Sequence, residues 1–157
     1  ERAYIAFFAA LLSELRATQA VPVKDVSPDG TNWVVVDAIR IRNAEDVTFS
    51  FSFTREKRMR AEMYIDTGQA EANKQIFDLL SAQREVIEAQ TGPLEWERLN
   101  HRRACRIAHY ARGHILAEPS ELDALRKWAV SAMIALRTAM VGPVTDAARQ
   151  VLVDQPK

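Results

Sequence analysis

From Tyr4 onward the apolar residues Tyr4, Ile5, Phe8, Leu11, Leu12 and Leu15 recur at the helical period, which predicts an amphipathic helix over residues 2–18. Pro22, Pro28, Asp29 and Gly30 then supply turn chemistry, so residues 21–32 read as a connection. Trp33 to Ile41 is rich in Val and Ile and predicts a strand. The sharpest pattern follows: Val47, Phe49, Phe51 and Phe53 alternate with Thr48, Ser50, Ser52 and Thr54, and after a short polar connection Met59, Ala61, Met63 and Ile65 alternate with Arg58, Arg60, Glu62 and Tyr64. Period two on both sides of a turn predicts an antiparallel hairpin, its apolar rows sharing a core face and its Ser, Thr, Arg and Tyr rows left to solvent or to a partner.

Helical spacing returns from Ala70 to Thr91, with Ile76, Phe77, Leu80 and Ile87 on one side, and Gly92-Pro93 closes the helix. Residues 94–115 are nearer to period two and predict two short strands with Gly113 in a turn. Ser120, with Asp123 three residues on, reads as the cap of a last helix running to Val141. Gly142-Pro143 is expected to break or kink it before a short amphipathic piece over 144–153. The order α-βββ-α-ββ-α gives one α+β domain over residues 1–157, a mainly antiparallel sheet of four to five strands covered by three main helices.

Composition fits that picture. In 157 residues, 48% are apolar, enough for a hydrophobic core and too many for a disordered chain. One cysteine makes no internal disulfide, which points to a reducing, cytoplasmic setting. The uncharged stretch Ala3–Ser13 is too short to cross a bilayer, for which about 20 residues are needed. No membrane association is expected.

Twenty-one basic and 21 acidic residues cancel overall, but they are segregated along the chain. Residues 61–97 carry eight acids and two bases, whereas 98–114 carry five arginines and no acid. One reading is a phosphate-binding or nucleic-acid-binding surface made by Arg58, Arg60, Arg98, Arg102, Arg103 and Arg106, because guanidinium forks match phosphate oxygens. The other pairs the arginines with Glu85, Glu88, Glu95 and Glu97 in a surface network.

Motifs for catalysis are absent from the sequence. His101, Cys105 and His109 share a spacing of four, but on a strand neighbours four apart are separated by roughly 13 Å, too far to hold one ion. The element order invites comparison with restriction-endonuclease-like nucleases, whose metal site needs an acid two positions before a lysine. Here Pro22, Arg55, Ala72, Leu125 and Gln155 stand in those places, so at most a degenerate form of that fold is expected. The five glycines are scattered singly, with no phosphate-cradling loop. No catalytic residue, cofactor or metal ligand is assigned.

Several strings nevertheless belong together: Arg60-Ala61-Glu62-Met63-Tyr64-Ile65, Asn73-Lys74 with Ile76-Phe77, Ile87-Glu88, Leu94-Glu95-Trp96-Glu97-Arg98-Leu99 and Arg106-Ile107. Together they resemble a prokaryotic family of domains of unknown function, over most of the chain from the first helix to about Met140. The resemblance implies the C-terminal domain of a longer protein, some members following nuclease-like domains, and it carries over no catalytic residue. Tyr64, Asn73, Lys74, Trp96, Glu97 and Arg98 carry the likeness, and each also has an ordinary structural role open to it. Two functions are therefore expected to compete: a non-catalytic accessory domain binding nucleic acid or phosphate, and a protein-interaction or dimerisation module. The second would use the hydroxylated sheet face or the last helix, where Trp128, Ile134 and Val141 leave the main stripe.

Overall fold

A computed structural model describes residues 1–153; the last four positions of the expected domain lie outside the described residues. The elements are α1 (Arg2–Thr18), β1 (Trp33–Arg40), β2 (Glu45–Phe53), β3 (Arg58–Ile65), α2 (Ala70–Ser81), α3 (Arg84–Thr91), β4 (Glu95–Glu97), β5 (Cys105–Arg112) and α4 (Pro119–Val153). The sheet order is β1-β2-β3-β5-β4, antiparallel at every pairing. This is the expected α+β class, with four helices among the described residues where three main ones were expected. The comparison with restriction-endonuclease-like folds extends no further than the order of the elements.

The alternation of the hairpin decides which way the sheet faces. Val47, Phe49, Phe51 and Phe53 stand opposite Ile65, Met63, Ala61 and Met59, and all are buried. The helices lie on that side: α4 runs against β2, β3 and β5 and also meets α1, α2 and α3. Helix α1 inserts Phe7, Phe8, Leu11, Leu12 and Leu15, with the Phe7 and Phe53 rings edge to face at 5.1 Å. Burying so many large side chains at about 1.5–3 kcal/mol each supplies most of the drive to fold.

Three departures from the sequence pattern have local causes. The helix expected over 70–91 is divided between α2 and α3, across a stretch from Ser81 to Val86 that buries no side chain. With no apolar residue to hold that turn on the core, the Gln83 N–H reaches back only three residues, to the Leu80 carbonyl. Conversely, α4 continues through Gly142-Pro143. Proline removes one helical hydrogen bond, but Leu136, Ala139 and Met140 before it and Val144, Ala147 and Ala148 after it are all buried, and that packing keeps the helix from breaking there. Nor does Ser120 cap α4: the helix opens at Pro119, where a missing N–H costs nothing, and the Leu122 N–H bonds to the Glu118 carbonyl. By length and composition α4 could cross a membrane, but its apolar residues form the core behind the sheet.

In β1 the register slips between Val35 and Asp37. This bulge buries Val36 and Asp37 together and turns Asp37 towards α4, where Arg137 Nε donates to its carboxylate at 2.6 Å.

Candidate interaction face

Among the described residues no helix covers the second face of the sheet. Strand alternation puts Trp33 and Val35 of β1, Thr48, Ser50 and Ser52 of β2, and the Arg58, Arg60, Glu62 and Tyr64 row of β3 on this side. From β5 come Arg106, Ala108, Tyr110 and Arg112, and from the short edge strand β4 come Glu95 and Glu97.

The charged groups here are bound to one another. Ser50 Oγ donates to Glu62 Oε1 at 2.9 Å, and Arg60 Nε donates to Ser52 Oγ at 2.8 Å. Glu62 Oε2 sits between two guanidinium groups, 2.8 Å from Arg60 Nε and 2.6 Å from Arg106 Nε. Neither contact is aligned as a hydrogen bond, and Glu62 Oε2 and Arg106 Nε are both buried without a directional partner. Arg106 Nη1 also donates to Glu97 at 3.2 Å, and the Tyr110 hydroxyl donates to the other oxygen of Glu97 at 2.5 Å. Arg58 donates to Glu95 at 2.8 Å and lies 3.9 Å over the Tyr110 ring, a stacked cation–π contact. Burial works against the Arg106 charge, but Glu62 and Glu97 outweigh it and hold the guanidinium more firmly protonated; burial and the bond to Glu97 push the Tyr110 phenol up.

The remaining arginines of the segment lie elsewhere, around the loop between β4 and β5. Arg98 forms a fork with both oxygens of Asp78, each at 3.0 Å, and also donates to Asn100. Arg103 grips Asp66 at 2.7 Å. Arg102 is exposed and has no ion-pair partner among the described residues. The six arginines singled out in the sequence thus divide into two groups, Arg58, Arg60 and Arg106 on the sheet and Arg98, Arg102 and Arg103 at the loop, and five of them already hold a carboxylate. Glu95 and Glu97 are among those partners. Glu85 is not, and Glu88 instead receives Arg84, the Leu94 N–H and the Trp96 indole.

The loop is fastened by two residues near the start of α2, Asn73 and Lys74. Asn73 is fully buried; its Oδ1 accepts from the N–H and hydroxyl of Thr67 at 2.8 Å each, and its Nδ2 donates to Asp66 and to the Arg103 carbonyl. Lys74 Nζ donates to three loop carbonyls, those of Arg98, Leu99 and Ala104, at 2.6, 2.9 and 2.8 Å. Trp96 packs edge to face on Phe77, on the helical side of the sheet. Strand alternation alone could not have found the Asn73–Lys74 clamp; the available signal was a polar pair inside the first turn of an otherwise apolar helix face.

The carboxylates in this clamp give a dependence on pH. Burial pushes Asp66 up, but Arg103, the Gly68 N–H and Asn73 together bring it below its ordinary value; the Arg98 hydrogen bonds lower Asp78. Both groups therefore bind protons less readily folded than unfolded, and their contribution is complete above the unfolded value near 3.9 and fades as pH falls through the folded one. Urea denaturation between about pH 5 and pH 2 is expected to show falling stability, with a shallower slope in Asp66→Asn.

The spacing of His101, Cys105 and His109 assembles nothing. His101 is exposed on the loop, Cys105 is buried, and the His109 ring nitrogen bonds to the Thr91 carbonyl at 2.7 Å. Burial pushes the Cys105 thiol up, away from a reactive thiolate. Among the described residues no group of three His, Cys, Asp or Glu is placed to hold a metal.

Searches of curated proteins and of solved structures returned no match. The family described as "Domain of unknown function (DUF4268)" matches residues 3–143, which contain the whole sheet, the Asn73–Lys74 clamp and most of α4. The chain belongs to the DUF4268 family.

Proposed function

We propose that this chain is a non-catalytic accessory domain of a longer protein, and that it joins two copies through the uncovered face of the sheet. The observation that carries this reading is the state of the arginines: Arg58, Arg60 and Arg106 are occupied by Glu95, Glu62 and Glu97. A phosphate backbone would have to displace those carboxylates, so the counterion-release gain that drives nucleic-acid binding is largely cancelled. A second copy meets a face carrying both signs of charge, rich in the Arg, Tyr and Trp that anchor interfaces. Trp33 on this face is 54% exposed, unusual for so large a side chain. The chain's zero net charge removes long-range repulsion between copies.

Sedimentation velocity over a concentration series tests this. The natural chain is expected to dimerise reversibly at micromolar concentrations, and Trp33→Glu, which puts an unpaired charge into the contact, is expected to weaken dimerisation by about tenfold or more, the effect of losing roughly 1.4 kcal/mol or more. A monomer at every concentration up to about 1 mM rejects the proposal.

A further inference from the structure

Beyond the sheet face, the molecule has a cleft of about 820 Å³ where the end of β5 meets the β2–β3 turn and the first turns of α4. Its apolar wall is Ala111, Leu125 and Trp128. Trp128 is half-buried, touches His109 edge to face at 6.4 Å, and its indole N–H has no protein acceptor among the described residues. Gly113 lets the strand come this close to the helix: a Cβ there would stand 2.8 Å from Leu125 Cδ2.

Apart from Arg112, which ends the sheet-face row of β5, the polar groups of the cleft are not those of the sheet face. Lys57, Arg112 and His114 line it, and none has a side-chain partner among the described residues. The same is true of Glu56 and Glu121 across from them. On the sheet face Arg58, Arg60 and Arg106 are held by carboxylates, whereas none of the cations lining this cleft is. Each kind of unpaired group constrains the ligand. An apolar molecule would cover five polar groups without satisfying them. Inorganic phosphate would use the cations and leave the indole wall and the carboxylates idle.

We propose that this cleft binds a nucleoside monophosphate. The base lies against Trp128 and Leu125, where a flat π-face gains from stacking. The phosphate is held by Lys57 and Arg112 with His114 beside them, and the ribose hydroxyls or exocyclic amine donate to Glu56 or Glu121. The volume lies within the range usual for small-ligand clefts, about 300–1,000 Å³. Arg112 ends β5 on the uncovered side of the sheet and also lines the cleft, so the sheet-face variant used below is placed at Trp33, on the far edge strand β1.

Calorimetric titration with AMP, GMP, CMP and UMP, with adenosine and inorganic phosphate as separate arms, tests it. At least one monophosphate is expected to bind saturably with Kd below about 1 mM, and adenosine and phosphate each at least about tenfold more weakly. Arg112→Gln and Lys57→Gln are each expected to weaken binding about tenfold, with melting temperatures unchanged because both side chains are exposed. Trp128→Phe should keep binding but abolish ligand-induced quenching of tryptophan fluorescence. Trp33→Glu should bind as the natural chain does, which keeps failure at this cleft distinct from failure at the sheet face. No saturable binding of any monophosphate up to about 5 mM overturns the proposal, as does phosphate alone binding equally well or undiminished affinity in Arg112→Gln.

Discussion

Glu62→Ala is expected to lower the unfolding free energy by about 3–5 kcal/mol, far more than the loss of an ordinary surface ion pair. Glu62 lies at the centre of the sheet face with 10% of its side chain exposed, and its principal partner Arg106 is 11% exposed. Removing the carboxylate leaves the Arg106 charge out of water with only Glu97 beside it, and strips Ser50 of its acceptor. The cost of an uncompensated buried charge exceeds the net value of the intact pair, because forming the pair already required desolvating both groups. Replacing both partners, Glu62→Leu with Arg106→Met, is therefore expected to recover most of the loss. A urea-denaturation double-mutant cycle reads this as a coupling of several kcal/mol. A loss below about 1 kcal/mol for Glu62→Ala would mean that water reaches the network and that the face is an ordinary solvated surface.

The second large effect is expected at Asn73. Asn73→Leu keeps the approximate volume and removes the four hydrogen bonds of a fully buried side chain near the start of α2. The Thr67 N–H and the Arg103 carbonyl lose their partners, and leaving such groups unsatisfied costs about 1–3 kcal/mol each, so a total of about 2–6 kcal/mol is expected. Lys74→Met should behave differently. Its three acceptors lie on the β4–β5 loop near the surface, so amide exchange should quicken around residues 98–104 while global stability falls less. Equal global losses in the two variants would contradict this division between a core knot and a loop clamp.

Much of the fold was legible because its strongest patterns are local. The alternation of Val47 to Phe53 with Met59 to Ile65 needs no knowledge of distant residues to set strand, register and core face, and the α1 stripe sets its helix equally well. What stayed hidden depends on tertiary contact. The split between α2 and α3 follows from which turn reaches the core, and the unbroken course through Pro143 from burial on both sides. The site behaved in the same way. Counting charges along the chain separated an acidic stretch from a basic one, but the actual partners of Arg98 and Arg103, Asp78 and Asp66, are 20 and 37 residues away and are brought together only when α2 docks beside the β4–β5 loop. Asp37 is a similar case: a bulge, invisible to a period-two count, aims it at Arg137. The cleft beside Trp128 draws on the β2–β3 turn, the end of β5 and the start of α4, and no single stretch of sequence announces it.

The central claim, that two copies meet sheet to sheet, is tested most directly by measuring distances between copies with spin labels. Thr48→Cys places a label on the uncovered face and Lys127→Cys places one on the exposed side of α4, while the native Cys105 is buried and inaccessible to the label. Sheets packed face to face lie about 10 Å apart, so strong dipolar coupling between the two Thr48→Cys labels is expected, with a longer distance between the Lys127→Cys labels. Short distances at Lys127→Cys with long ones at Thr48→Cys, or no coupling at either position in concentrated protein, would contradict it.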